Sequence, residues 1–197
     1  MTAAGAVGAT APAWVLPDRG RVGIVGLIVA ESAVFAIFVA AYIYYVGKSL
    51  GGPTPAQVLD LPVVVSVLLW SSSVTIHVAV RALRSGRVQT FTLWWFLTIV
   101  LGALFLIGTG AEWHRLIYED GLTIRTNLFG TTFYSLVGLH ASHVIVGLLL
   151  LTIGLLLALG GHVNATHAGR AETLSVYWHF VDAVWVVVFL VVYVVGR

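Results

Sequence analysis

The chain has 197 residues, of which 59% are hydrophobic and only 9% charged, whereas ordinary soluble domains carry roughly 25% charged residues. Together with a mean hydropathy of +1.00, this excludes a water-soluble domain and predicts an integral membrane protein. The net charge of +2 comes from 10 Lys and Arg against 8 Asp and Glu, scattered between apolar runs with no basic stripe, so nucleic acid is excluded as a partner. The absence of cysteine excludes disulfides, zinc–thiolate sites, iron–sulfur clusters and covalently attached c-type haem.

A helical span takes about 20 residues, and the apolar runs accommodate five of them, with short connections and no separate soluble catalytic domain. The expectation is an all-α integral membrane bundle: a mobile tail over residues 1–21, then a single five-helix domain over 22–197. Met1 to Pro17 is rich in Ala, Gly and Thr and lacks the basic start of a cleavable signal peptide. Span one runs over 22–46, apolar apart from Glu31, and ends on Tyr42, Tyr44 and Tyr45 at a membrane boundary. Gly51, Gly52, Pro53 and Pro55 mark a loop. Span two, 62–80, contains Ser71, Ser72, Ser73 and His77 and ends on Arg81, Arg84 and Arg87. Span three, 91–111, opens on Trp94 and Trp95 and gives way to a charged loop with Glu112, His114, Arg115, Glu119, Asp120 and Arg125. The fourth apolar run, 128–159, exceeds what a span needs and predicts tilt or an extension beyond the hydrocarbon. Span five covers 174–196. An odd number of spans opposes the termini. Arg19, Arg21, Arg81, Arg84, Arg87 and Arg170 on one side outnumber Lys48, Arg115, Arg125 and Arg197 on the other, so the N-terminus is expected in the cytoplasm and the C-terminus outside.

Ionisable groups inside the spans cost about 2.5–3.5 kcal/mol each on insertion scales and need partners. Glu31 reads either as a proton-linked or contact group or as a neutral carboxyl held inside the bundle. His140 and His143 lie about 60° apart on one helix, with Gly147 and Gly154 continuing that face and allowing close helix approach. They serve either interhelical hydrogen bonds or a metal, although haem usually takes axial ligands from separate helices. His179 and Asp182, one turn apart, can relay a proton or neutralise each other. His77 suits headgroup or water contact, the serines indicate packing, and Glu172 fits a first-turn carboxylate facing a helix dipole.

Two stretches carry a resemblance: Phe133-Tyr134-Ser135-Leu136-Val137-Gly138-Leu139-His140-Ala141-Ser142-His143-Val144-Ile145-Val146-Gly147, and Glu172 followed by Tyr177-Trp178-His179-Phe180-Val181-Asp182-Ala183-Val184-Trp185. With Glu31-Ser32, the serine-rich second span and Glu112-Trp113, they resemble subunit III of the haem–copper oxidases, as in cytochrome c oxidase, over Arg21 to Arg197. The resemblance implies an accessory subunit with no redox centre and no metal of its own. It would pack on catalytic subunit I, with subunit II in the complex, where the partners' haem and copper reduce oxygen to water with proton translocation. It also implies bound phospholipid, support of proton uptake and durability in turnover, and a bacterial plasma membrane. Carried over, Glu31, His140, His143, Glu172, Trp178, His179 and Asp182 are the positions for proton-linked, lipid or subunit contact. Longer members have seven spans, and Ala141-Ser142 stands where Gly-Leu is common.

Quinol oxidase and nitric-oxide-reductase relatives share the five-span form. Two rivals belong to other classes: a b-haem enzyme using His77, His140, His143 or His179, and a proton-linked transporter using Glu31 and Asp182. The lack of repeats with matched broken helices argues against the transporter.

Overall fold

The computed structural model describes residues 19–196; most of the expected N-terminal tail and Arg197 lie outside them. Hydrocarbon offers no partner for backbone N–H and C=O groups, so a spanning segment must satisfy them within a helix. The described residues accordingly contain five helices long and apolar enough to cross a membrane. They are α1 (Arg19–Tyr45), α3 (Val63–Arg84), α4 (Val88–Tyr118), α5 (Leu128–Leu159) and α6 (Ala168–Phe189). A short α2 (Pro55–Val58) lies in the first loop, a 3-10 turn (Ala165–His167) precedes α6, and a π-helical segment (Leu190–Val195) ends it.

Helix α5 spans the whole fourth apolar run. Helix α4 does not stop at Ala111: it continues through Glu112, His114 and Arg115, the start of the expected charged loop. This extension is held because Leu116 is fully buried and Arg115 is tied to Asp60. Glu172 likewise lies within α6, whose helix begins before the expected start of span five.

Helices α3, α4, α5 and α6 form a closed ring in which α3 and α5 each pack between α4 and α6, while α1 lies in the groove between α5 and α6. Helix α1 is the least buried of the five. At one end, Glu172 bridges Arg84 at 2.6 Å and Arg21 at 3.8 Å. At the other, Asn127 caps α5 by accepting from the Gly130 N–H at 2.8 Å, and its amide donates to the carbonyls of Gly51 and Pro53 at 3.0 Å. Arg21 and Arg125 therefore sit at opposite ends of the bundle.

The core is built around tryptophan. Trp178 lies between α4 and α5, where a Cβ at Gly102 or Gly147 would come within 2.7 or 2.8 Å of its ring. Two glycines facing one indole are what permit α4, α5 and α6 to close around it.

Candidate functional site

A buried indole N–H needs an acceptor, and serine hydroxyls on α3 supply two. Trp178 Nε1 donates to Ser72 Oγ at 2.8 Å, and Trp185 Nε1 donates to Ser66 Oγ at 3.0 Å. Ser73, beside Ser72, faces His179 and Asp182 of α6. Its hydroxyl donates to Asp182 Oδ2, and His179 Nδ1 lies 3.0 Å from the Ser73 Oγ. With the hydroxyl hydrogen directed at the carboxylate, Nδ1 is the donor to Ser73. His179 and Asp182 thus meet through a hydroxyl from another helix, and the expected intramembrane pair is a chain of three.

Glu31 on α1 reaches His143 on α5, with Oε2 and Nε2 3.1 Å apart. His143 Nδ1 lies 2.8 Å from the Leu139 carbonyl. That carbonyl can only accept, so Nδ1 carries a hydrogen, and the Nε2–Oε2 contact holds one further proton. Imidazolium with carboxylate and imidazole with carboxylic acid both meet this condition, and both leave the pair with zero net charge. Such a pair suits a low-dielectric wall. It lines a cavity of about 270 Å³ with Ile24, Leu27 and Tyr177, and Tyr177 donates to the His143 carbonyl at 3.2 Å. A second groove, about 510 Å³ and apolar, runs between α1 and α6 past Phe35, Val39, Phe180 and Val184.

His140 differs from its neighbour. It is fully buried, stacks on Trp185 with ring centroids 5.0 Å apart and meets the edge of Phe105 at 5.8 Å. Neither ring nitrogen has a hydrogen-bond partner among the described residues, so the interhelical hydrogen bond expected for it gives way to aromatic packing. His77 lies exposed on α3, one helical turn beyond the Ser73 that contacts His179. Among the described residues, no group of three or more His, Asp or Glu is placed to hold a metal ion.

Glu172 faces two arginines, and this ion-paired clamp replaces the helix-dipole contact expected for it. The structure therefore distributes the seven candidate residues over four places. Glu31 and His143 lie at the α1–α5 wall; Trp178, His179 and Asp182 meet the α3 serines in the ring; Glu172 closes one end, and His140 packs among aromatic rings.

Sequence reasoning missed a fourth polar centre. Tyr193 donates to Glu112 Oε2 at 3.0 Å, and Arg115 donates to Asp60 and, at 2.8 Å, to the Val58 carbonyl. Glu112 and Arg115 could be seen as a charged cluster, but their partners lie far away in sequence. Tyr193 is delivered by a π-helical turn that has no sequence signal of its own.

This architecture defines a polytopic α-helical membrane protein whose intramembrane charges are paired across helices. Residues 18–197 match the family described as cytochrome c oxidase subunit III. The chain is 40% identical over 181 residues to cytochrome c oxidase subunit 3 of Synechocystis sp., covering 90% of this chain and 76% of that protein. It is 34% identical over 168 residues to cytochrome c oxidase subunit 3 of Alkalihalophilus pseudofirmus, covering 84% and 82%. It is also 29% identical over 194 residues to quinol oxidase subunit 3 of Bacillus subtilis, covering 94% and 93%. The chain belongs to the cytochrome c oxidase subunit III family, and hence to a multisubunit oxidoreductase in which this subunit is not the catalytic one.

Proposed function

We propose that the chain is the accessory subunit III of a respiratory haem–copper oxidase in a bacterial plasma membrane, packed on catalytic subunit I with subunit II in the complex. Its N-terminus is cytoplasmic: Arg21, Arg81, Arg84, Arg87 and Arg170 gather at one end of the bundle, against Lys48, Arg115 and Arg125 at the other. Phospholipid occupies the grooves beside α1, and Glu31 with His143 supports proton uptake and endurance during turnover.

The observation that carries this reading is the Glu31–His143 pair. It is a net-neutral, one-proton couple on a cavity wall beside the outermost helix, whereas the other histidine–carboxylate group, His179 with Asp182, is bridged by Ser73 where α3 meets α6. Glu31→Gln tests it, since the amide can donate to a neutral Nε2 and keep the helices joined while the exchangeable proton is lost. The intact complex carrying Glu31→Gln is expected to assemble with normal haem content and initial turnover, then to lose activity sooner and retain less phospholipid. Glu31→Leu leaves His143 unpaired, at a cost of about 1–3 kcal/mol, and is expected to loosen the subunit. Wild-type endurance, pH profile and lipid content in Glu31→Gln would reduce Glu31 to a structural role.

A quinol oxidase is the second reading, favoured by the near full-length match to the Bacillus subtilis quinol oxidase subunit 3. Oxygen uptake by the purified complex with reduced cytochrome c or with quinol as the sole donor separates the two.

A further inference from the structure

The end of the bundle opposite Glu172 has a cavity of about 330 Å³ between the start of α3 and the last turns of α4. A Cβ at Gly108 would collide with Val65, so the two helices touch at that level. Beyond it they part, and the space opens towards Asp60 and Arg115. Pro62, Val65 and Ala111 give it hydrocarbon walls, and its lip carries Val63 and Val64, the latter 75% exposed on the flank of α3.

A polar atom of this cavity is unmatched. Glu112 accepts from Tyr193 through Oε2 at 3.0 Å, but its Oε1 is buried and has no hydrogen-bond partner among the described residues. Ionised, that oxygen lacks a donor; protonated, its hydroxyl lacks an acceptor. Arg115, three residues further along α4, does not supply it. Its guanidinium is taken up by Asp60, by the Val58 carbonyl at 2.8 Å and by Asp120 at 3.8 Å. Tyr193 thus fixes the carboxyl at the cavity without satisfying it.

We infer that this cavity is the socket for one lysine or arginine side chain of a neighbouring subunit in the complex, its aliphatic stem against Pro62 and Val65 and its charged head at Glu112 Oε1. A long basic side chain joins an apolar stem to a cationic tip, the same two surfaces that the cavity presents. A carboxylate taken out of water needs a countercharge close by. A phospholipid headgroup would bring a phosphate against Glu112 and Asp60, and a metal ion would find no group of three His, Asp or Glu ligands among the described residues. Entry over Val64, on the flank of a spanning helix, suits a neighbour in the plane of the membrane and not a solute from water. The inference needs only that the chain belongs to a multisubunit complex, and it does not involve the Glu31–His143 couple.

The test uses the intact purified complex. In an otherwise wild-type chain, Val64→p-benzoylphenylalanine places a photoreactive group at the lip, and cross-linked peptides are identified by mass spectrometry. The expected product joins this chain to a segment of one other subunit that contains a lysine or arginine. In a second measurement the complex is immobilised through its catalytic subunit and washed with increasing salt, and the retained chain is quantified. Glu112→Gln keeps an acceptor for Tyr193 and removes the charge. It is expected to be held about tenfold less tightly at low salt, as for the loss of one charge-assisted contact, and to depend less on salt. Tyr193→Phe removes the other contact of the same carboxyl and leaves the charge, and Arg197→Gln removes a cation of this chain that lies outside the described residues. Both are expected to keep the wild-type salt response. Cross-linking to lipid alone or only within this chain, or a loss in Tyr193→Phe or Arg197→Gln equal to that in Glu112→Gln, would each overturn the proposal.

Discussion

Ser73 is the residue on which the interior polar chain turns. His179 and Asp182 share a face of α6 by helical spacing alone, but the hydroxyl that joins them comes from α3, more than a hundred residues earlier. Ser73→Ala would leave both groups short of a partner inside the ring, and a loss of about 1–3 kcal/mol is expected. Thermal unfolding of the purified complex, followed by release of this subunit, measures it. Ser73→Thr keeps the hydroxyl and is expected to retain most of the wild-type stability. At this scale the sequence was readable in part. Glu31, His179 and Asp182 stood out because ionisable groups in apolar runs demand partners. Which partner each found was not readable, since Glu31 meets His143 across 112 residues of chain.

Helix faces carry their own tests. Gly147 meets the Trp178 ring so closely that an added Cβ would stand 2.8 Å away, whereas a Cβ at Gly138 would lie 3.4 Å from Trp113, in ordinary contact. Gly147→Ala is therefore expected to cost about 1–3 kcal/mol through overpacking, and Gly138→Ala to be tolerated. The yield of assembled complex and its thermal midpoint distinguish the two. The face formed by His140, Gly147 and Gly154 could be read from the helical repeat, including its fitness for close packing. The extent of α4 could not. Its last turns carry Glu112, His114 and Arg115, which read as loop residues until Asp60 and the Val58 carbonyl are seen to receive Arg115. The π-helical end of the last span was equally hidden, because it answers to the contacts of Tyr193 and Tyr42 and not to a local preference.

For the whole molecule, the absence of native cysteine makes topology directly measurable. Single cysteines replacing Ser85, in the turn between α3 and α4, and Glu119, just past α4, lie at opposite ends of the bundle and are both exposed. In intact cells, a membrane-impermeant maleimide is expected to label the Glu119 variant and to reach the Ser85 variant only after lysis; the reverse pattern would invert the orientation. Much of the architecture was set by the sequence alone: embedding in a membrane, five helices and the places where charge would be buried. Length and composition determine these because a helix must match the thickness of the hydrocarbon and satisfy its own backbone. The tertiary structure alone decided which faces meet, with α1 outside a ring of α3 to α6, Glu31 on His143, Ser73 between His179 and Asp182, and His140 among aromatic rings. Lipid is as apolar as most of each helix surface, so hydropathy does not distinguish a packed face from a lipid-facing one. Close approach at glycine and hydrogen bonds between helices make that choice.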